Sequence, residues 1–324
     1  MEPVRWGVLG AARIAREQVI PAIRRSACGE VLAVSSASGR AGSYAGELGI
    51  PRAYDAHEDL LADPDVDAVY LALPNSVHAQ WIARAAQAGK HVLCEKPLVL
   101  GAGELDEVEA VVTAAGVLLA EAFMYRHHPQ LATVREMLRA GVVGDLVTMQ
   151  ARLHFPLPRT DEPDIRLRPD LGGGALLDLG CYPVDLFGAL VGRDPDDVAA
   201  VAHREAEGGV DARTAAVLRY GDVVASLDCS FDSPFLNTAT LIGTEGTITL
   251  TDVFRADLTG GIGTVLVDAG GTTERIQIAG DQYAEQIRVF TRSLEHRRDA
   301  EADAALTRRT VRTVERIAHA AGLA

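Results

Sequence analysis

Of the 31 basic residues in this 324-residue chain only two, Lys90 and Lys96, are lysine. A chain that uses arginine for generic positive charge keeps lysine where arginine cannot serve. Arginine holds its proton at any ordinary pH, whereas a partly buried lysine shifts its pKa readily. Lys90 follows Gly89 at a predicted helix end, and an exposed position accounts for it. Lys96 lies in Cys94-Glu95-Lys96-Pro97, just past a short apolar run. A lysine there can steady negative charge on an oxygen while a neighbour moves its proton. The competing account is an ion pair with Glu95 or another acid.

A second set follows the glycine run Gly172-Gly173-Gly174. Asp178 and Tyr182 are four residues apart, so a helix projects both from one face. An acid and a phenol beside Lys96 would make a proton-transfer set. The bland alternative is a helix-capping Asp178 and a core Tyr182. Pro183 is expected to kink this helix. The glycines allow close approach of a ligand or another backbone.

The third set is near the start. Gly10-Ala11-Ala12-Arg13-Ile14-Ala15 has the spacing of the phosphate-binding turn G-x-G-x-x-G, with alanine at two of the three glycine positions. Gly10 suits the tight turn and Ala15 the packing position. Ala12 adds one methyl where backbone would meet pyrophosphate, which is tolerable if its φ is negative. The amides near Ala11, Ala12, Arg13 and Ile14 would form the cradle. The carboxylate expected about 20 residues on, for the ribose 2′-hydroxyl, is missing. Ser35-Ser36-Ala37-Ser38-Gly39-Arg40 stands there instead. Ser38 can donate a hydrogen bond and Arg40 can pair with a phosphate. That favours NADP(H), with NAD(H) possible. A plain polar turn would give the same letters.

The elements that must position these residues alternate over the first 120 or so positions. Strands are predicted over 4–9, 31–36, 67–73, 91–94 and 117–120. Helices are predicted over 13–25, 43–48, 57–61, from 75 or 76 to 88, and 103–115. Such alternation gives a doubly wound parallel sheet, which binds ligands beyond the carboxyl ends of its strands. After about Gly144 the texture changes. Eight strands over 146–155, 198–203, 214–220, 223–231, 238–243, 247–251, 264–267 and 275–278 predict a mostly antiparallel sheet in an α+β domain. A helix over 175–191 interrupts it, and helices over 283–296 and 304–321 close the chain. The division expected is a dinucleotide-binding domain over 1–122 and a substrate and oligomerisation domain over 123–324, with the last helices packing back on the first. The loop over 156–171 is long and rich in Pro, Asp and Arg, and such loops are often functional.

Bulk composition excludes some classes. A net charge of −14 opposes sequence-independent nucleic-acid binding and docking on anionic lipid. No uninterrupted apolar run approaches the ~20 residues of a membrane span. Cys28, Cys94, Cys181 and Cys229 are scattered and form no C-x-x-C pair. With no apolar signal segment at the start, they read as reduced thiols of a cytoplasmic protein. No His, Cys, Asp or Glu spacing suggests a bound metal.

Taken in order, GAARIA, ALPNSVHA (Ala72 to Ala79), CEKPL (Cys94 to Leu98), EAFMYRHHP (Glu121 to Pro129) and GGGALLDLGCYPVD (Gly172 to Asp185) resemble the Gfo/Idh/MocA oxidoreductases. The resemblance runs across essentially the whole chain. It implies an α/β Rossmann domain followed by an α+β domain with an open-faced sheet that serves a homodimer or homotetramer. It implies a cofactor site that adds Leu73, Pro74, Asn75, His78, Glu95, Lys96 and Pro97 to the first turn. It makes Lys96 touch cofactor and substrate, Asp178 orient the sugar, and Tyr182 the acid and base. Tyr182 rather than His resembles the glucose–fructose oxidoreductase, dihydrodiol dehydrogenase, NADP-xylose dehydrogenase and sugar 3-ketoreductase branches. Tyr125, Arg126, His154 and Arg168 are the further candidates for substrate contact, while His127 and His128 open a helix and are as readily surface as site. The expected activity is hydride transfer between nicotinamide and a CH–OH or C=O carbon of a sugar or polyol. A trans-dihydrodiol dehydrogenase, a non-catalytic NADP-binding regulator and a hydrolase using tightly held NAD are the competing readings.

Overall fold

The computed structural model describes residues 2–158, 160 and 164–323. The chain divides into two compact units: Met1–Phe123 with Tyr283–Ala305, and Met124–Gln282 with Leu306–Ala324.

The first unit holds a six-stranded sheet. In chain order its elements are β1 (Val4–Leu9), α1 (Ile20–Ser26), β2 (Gly29–Ser35), α2 (Ala41–Leu48), β3 (Arg52–Tyr54), α3 (His57–Leu61), β4 (Ala68–Leu71), α4 (His78–Gln87), β5 (His91–Cys94), α5 (Ala102–Ala115) and β6 (Leu119–Glu121). The strands lie in the order β3-β2-β1-β4-β5-β6, and every pair is parallel. The sheet grows outward from β1 to β3, then restarts on the other side with β4. The reversal between β1 and β4 opens a crevice at the carboxyl ends of both strands. Continuous burial of β4 explains its unbroken apolar sequence. Strand β3 was not expected from sequence; at three residues it carries too little pattern to read. The helix after β1 begins at Arg13 and passes through a widened turn at Ala15–Val19 before α1.

The second unit is built on an eight-stranded sheet. Its elements are α6 (Pro129–Arg139), β7 (Leu146–His154), α7 (Cys181–Val191), β8 (Asp197–Arg204), β9 (Asp211–Tyr220), β10 (Val223–Ser230), β11 (Leu236–Gly243), β12 (Gly246–Thr251), β13 (Ile262–Ala269) and β14 (Thr272–Ala279). The order is β14-β13-β12-β11-β7-β10-β9-β8. Only β7 and β10 pair in parallel; the other pairs are antiparallel. One face packs on the core. The other carries exposed Val201, Val217 and Val224 from three adjacent strands. Two helices, α8 (Gln282–Glu295) and α9 (Arg297–Ala320), end the chain.

The stretch Pro169–Val191 is long and apolar enough by composition to cross a membrane, yet Asp170, Asp178 and Asp185 interrupt it and 72% of its most apolar window is buried within the protein, as expected of a core helix.

Candidate active site

At the end of β1, the Gly10 amide donates to the Ser35 carbonyl at 2.9 Å, tying the ends of β1 and β2 together. Gly10 has φ +102°, and a Cβ there would lie 2.4 Å from the Ala72 carbonyl oxygen at the end of β4. No other residue fits where the two strands diverge. Ala12 has no left-handed backbone: among the described residues only Ala27 and Asp252 combine a side chain with positive φ. Its methyl therefore costs no backbone strain, and the condition set for the degenerate turn is met. With the helix starting at Arg13, its first amides have no helical carbonyl behind them, and the first helical bond is from the Arg16 amide to the Ala12 carbonyl. The Tyr44 hydroxyl of α2 donates to the Ala12 carbonyl at 3.0 Å and fixes the turn. Burial pushes that phenol up to about 12, so it remains a donor. A cradle with no room for a Cβ and a row of unused amides fits a dinucleotide pyrophosphate.

Beyond β2, the Arg40 Nε donates to Ser38 Oγ at 2.8 Å, and Ser38 Oγ lies 3.0 Å from Ser36 Oγ. Both Ser38 and Arg40 are exposed, and no acid stands between them and the strand. Leu73, Pro74 and Asn75 are half-buried on the loop after β4. His78 is different. It is buried, with Nδ1 2.8 Å from the Pro97 carbonyl and Nε2 2.9 Å from the Leu73 carbonyl. A backbone carbonyl stands at each ring nitrogen, so His78 ties the loop after β4 to the turn after β5.

The turn after β5 is pinned from three sides. The Glu95 amide donates to the Leu71 carbonyl at 3.0 Å. The Tyr70 hydroxyl donates to Glu95 Oε1 at 2.5 Å. The Leu98 amide donates to Glu121 Oε1 at 2.9 Å. Lys96 is half-buried between these anchors, and its bond to Pro97 is cis. Glu121 and Tyr70 were not singled out from sequence, since nothing in their spacing marks them. Lys90 is a correction. It is buried rather than exposed, and its Nζ donates to the Asp63 and Val66 carbonyls at 2.7 and 2.8 Å. Burial lowers its pKa. Its scarcity signal was structural.

In the second unit, the three glycines do admit a close backbone, and it belongs to the chain's own loop. A Cβ on Gly173 would sit 2.4 Å from the Arg166 carbonyl oxygen, and the Gly174 amide donates to that oxygen at 2.9 Å. The helix start is capped from β9, where Asp211 accepts the Leu176 amide at 2.8 Å. A widened turn at Leu176–Gly180 leads directly into α7, which carries Pro183 as its third residue. Such turns are frequent at functional sites. Asp178 lies on that turn. Tyr182 follows in α7, buried, with its hydroxyl 3.6 Å from Met124 Sδ and its ring against Tyr125 and Phe254.

The other candidates separate. Arg168 is exposed and pairs with Asp170. The arginine that meets Asp178 is Arg166, with Nε 3.0 Å from Oδ2. His154 Nε2 lies 2.5 Å from Asp228 Oδ1 at the edge of the open face. Tyr125 and Arg126 are corrected: both are spent on Asp185, which is fully buried. Tyr125 donates to Asp185 Oδ1 at 2.5 Å, Arg126 Nε to the same oxygen at 2.9 Å, and Thr310 to Oδ2 at 2.7 Å. A carboxylate this deep needs a full shell of donors, and these side chains supply it. His128 is also internal: buried, it accepts the Gln130 amide and caps α6. Of the loop over 156–171, residues 159 and 161–163 lie outside the described residues.

Residues 4–123 match a family model described as the oxidoreductase family with an NAD-binding Rossmann fold, and residues 131–249 match the GFO/IDH/MocA C-terminal domain. The chain belongs to the Gfo/Idh/MocA oxidoreductases. It is 36% identical over 313 residues to an NADP(+)-dependent D-xylose 1-dehydrogenase of Haloferax volcanii, covering 96% of this chain and 95% of that one. It is 36% identical over 307 residues to a dTDP-3,4-didehydro-2,6-dideoxy-α-D-glucose 3-reductase of Actinomadura kijaniata, covering 93% and 91%. A crystal structure of a 3-ketoreductase from that organism, in complex with NADP and TDP-benzene, superposes with TM-score 0.91 at 34% identity, covering 98% of both chains. Within this Gfo/Idh/MocA chain, the Gly10 turn and the Lys96 turn both fall in the Rossmann-matching part, and Asp178 and Tyr182 in the other.

Proposed function

We propose that this chain is an NADP(H)-dependent oxidoreductase acting on a CH–OH or C=O carbon of a sugar or sugar derivative. The xylose dehydrogenase and the 3-ketoreductase, each similar over nearly the whole chain, support that class. The observation that carries the chemistry is Lys96, half-buried on a turn locked by Glu95 and Glu121 at the carboxyl edge of the parallel sheet. When bound, the nicotinamide supplies or accepts the hydride. The chain's own residues do the rest. Gly10 and the amides after it hold the pyrophosphate, and Ser38 with Arg40 hold the ribose 2′-phosphate. Tyr182 moves the proton of the reacting oxygen. The Lys96 ammonium stabilises negative charge on that oxygen and favours the phenolate. Asp178 accepts hydrogen bonds from neighbouring hydroxyls.

The exposed valines of the open sheet face support assembly as a homodimer or homotetramer through that face. The four cysteines are all free thiols, three of them buried, which supports a reducing, cytoplasmic setting. A spectrophotometric panel of aldoses, ketosugars, cyclitols and dihydrodiols, each with NADP(H) and NAD(H), tests the activity. Sugar turnover with NADP(H) is expected. Turnover confined to dihydrodiols would move the chain to the class of its mouse relative, a trans-1,2-dihydrobenzene-1,2-diol dehydrogenase, which is 35% identical over 250 residues.

A further inference from the structure

We infer that His57 is a positioning residue for NADP(H): through Ser35 it fixes the end of β2, and with it the loop that carries Ser38 and Arg40. The inference rests on the reading of that loop as the holder of the ribose 2′-phosphate.

Ser35 is the last residue of β2 and is fully buried. It pairs with Leu9 of β1 on one side and with Tyr54 of β3 on the other. Its carbonyl accepts the Gly10 amide, so the first turn is tied to it. Its hydroxyl lies 2.7 Å from Nδ1 of His57, the first residue of α3. Burial, opposed by the Glu58 charge, lowers the His57 pKa, so the ring is neutral at neutral pH. In either neutral tautomer Nδ1 can pair with a hydroxyl, which both donates and accepts. The ring is itself held. Trp81 of α4 meets it edge-on at a centroid distance of 4.8 Å, and the Arg84 guanidinium lies 4.7 Å from the Trp81 ring.

The loop after β2 starts from this anchor. The Ser36 amide donates to the Tyr54 carbonyl at 3.0 Å, so Ser35 and Ser36 are both tied to the segment over 54–57. From Ser36 a row of hydrogen bonds runs outward. Ser36 Oγ lies 3.0 Å from Ser38 Oγ, and Arg40 Nε donates to Ser38 Oγ at 2.8 Å. The Arg40 carbonyl then accepts the Tyr44 amide at 3.0 Å and opens α2. Removing one partner of a buried polar pair leaves the other unsatisfied. The strand end then leaves its place for part of the time. Apparent affinity falls in proportion to the fraction of molecules in which Ser38 and Arg40 are set for the phosphate.

Fluorescence titrations of NADPH and NADH with Ser35→Ala, His57→Phe and the double variant test this, each beside a circular-dichroism check of the fold. Ser35→Ala deletes one oxygen, and His57→Phe keeps a ring against Trp81. Each single variant is expected to raise the NADPH Kd about fivefold, the worth of one hydrogen bond. The rise for NADH should be smaller, since NADH brings no 2′-phosphate to the loop. The double variant should bind no worse than the weaker single one, because both changes remove the same contact. His57→Asn, with a polar atom at the place of Nδ1, should recover part of the loss. An unchanged NADPH Kd in folded Ser35→Ala, or an equal loss with both cofactors, overturns this inference and leaves the oxidoreductase reading standing. A parent protein that binds no NADPH overturns both.

Discussion

The Tyr70 hydroxyl donates to one oxygen of Glu95 at 2.5 Å, and the other Glu95 oxygen accepts the Lys96 amide at 3.3 Å. The carboxylate thus spans from the interior of β4 to the turn that carries the lysine. Burial first, and then the Glu95 charge, push the Tyr70 phenol well above its ordinary range, so it stays a donor at every working pH. Tyr70→Phe is expected to keep NADPH affinity and to lower kcat about tenfold, the value of one hydrogen bond to a charged group. Steady-state kinetics beside a binding titration check this. An unchanged kcat would release Tyr70 from any positioning role.

Cofactor selectivity should rest on the loop after β2. Arg40 and Ser38 are exposed, hydrogen-bonded to each other, and face no acid on their own loop. Arg40→Ala should lower kcat/KM with NADPH by about 10- to 100-fold, from loss of a charge-assisted contact, and leave the NADH value nearly unchanged. An equal loss with both cofactors would place Arg40 elsewhere.

The first turn offers a paired test. Gly10→Ala forces a side chain into a left-handed backbone against the Ala72 carbonyl, so it should destabilise the protein by about 1–3 kcal/mol and weaken NADPH binding. Ala12→Gly lies at ordinary φ and should change NADPH affinity by no more than about threefold, since it only widens the approach. Thermal unfolding and a fluorescence titration of both variants separate the two positions. A tolerated Gly10→Ala would contradict the close approach of β1 and β4.

Much of this was legible in the chain. Alternating apolar runs gave the parallel sheet, because strands such as β4 buried on both faces need unbroken apolar sequence. The eight later strands were legible because one exposed face leaves a period of two, as in β9. The degenerate glycine turn was legible because Gly10 alone carries the strained backbone. What failed was partner choice. Lys90, Tyr125 and Arg126 carry polar groups that suit a site, yet each side chain turns inward onto an internal acceptor. Arg166 and Arg168 stand two residues apart, and only the docking of the loop on Gly173 decides which of them meets Asp178. Sequence lists donors and acceptors; it does not say which pairs close.

Three buried histidines are expected to weaken the fold in mild acid. Burial, above every other cause, lowers the pKa of His57, His78 and His128 from an ordinary 6.5. The folded protein therefore prefers them neutral. Their contribution is complete above pH 6.5 and is lost as pH falls from there through the lowered folded values, because the unfolded chain takes up protons first. Each makes stability fall as pH drops through that window. The Tm should fall between pH 7 and 5, and His57→Gln should flatten the fall. A Tm independent of pH over that range would show that these groups titrate alike in both states.

The central claim is that one lysine and one phenol run the proton side of a nicotinamide reaction. Its most direct test is single-turnover and steady-state oxidation of NADPH by Lys96→Ala and Tyr182→Phe, beside a Kd for NADPH from each. The expected result is cofactor affinity close to that of the parent protein with turnover reduced by about 10²- to 10⁴-fold in each variant, the span of general acid–base catalysis. Parent-like turnover in either variant would contradict the account.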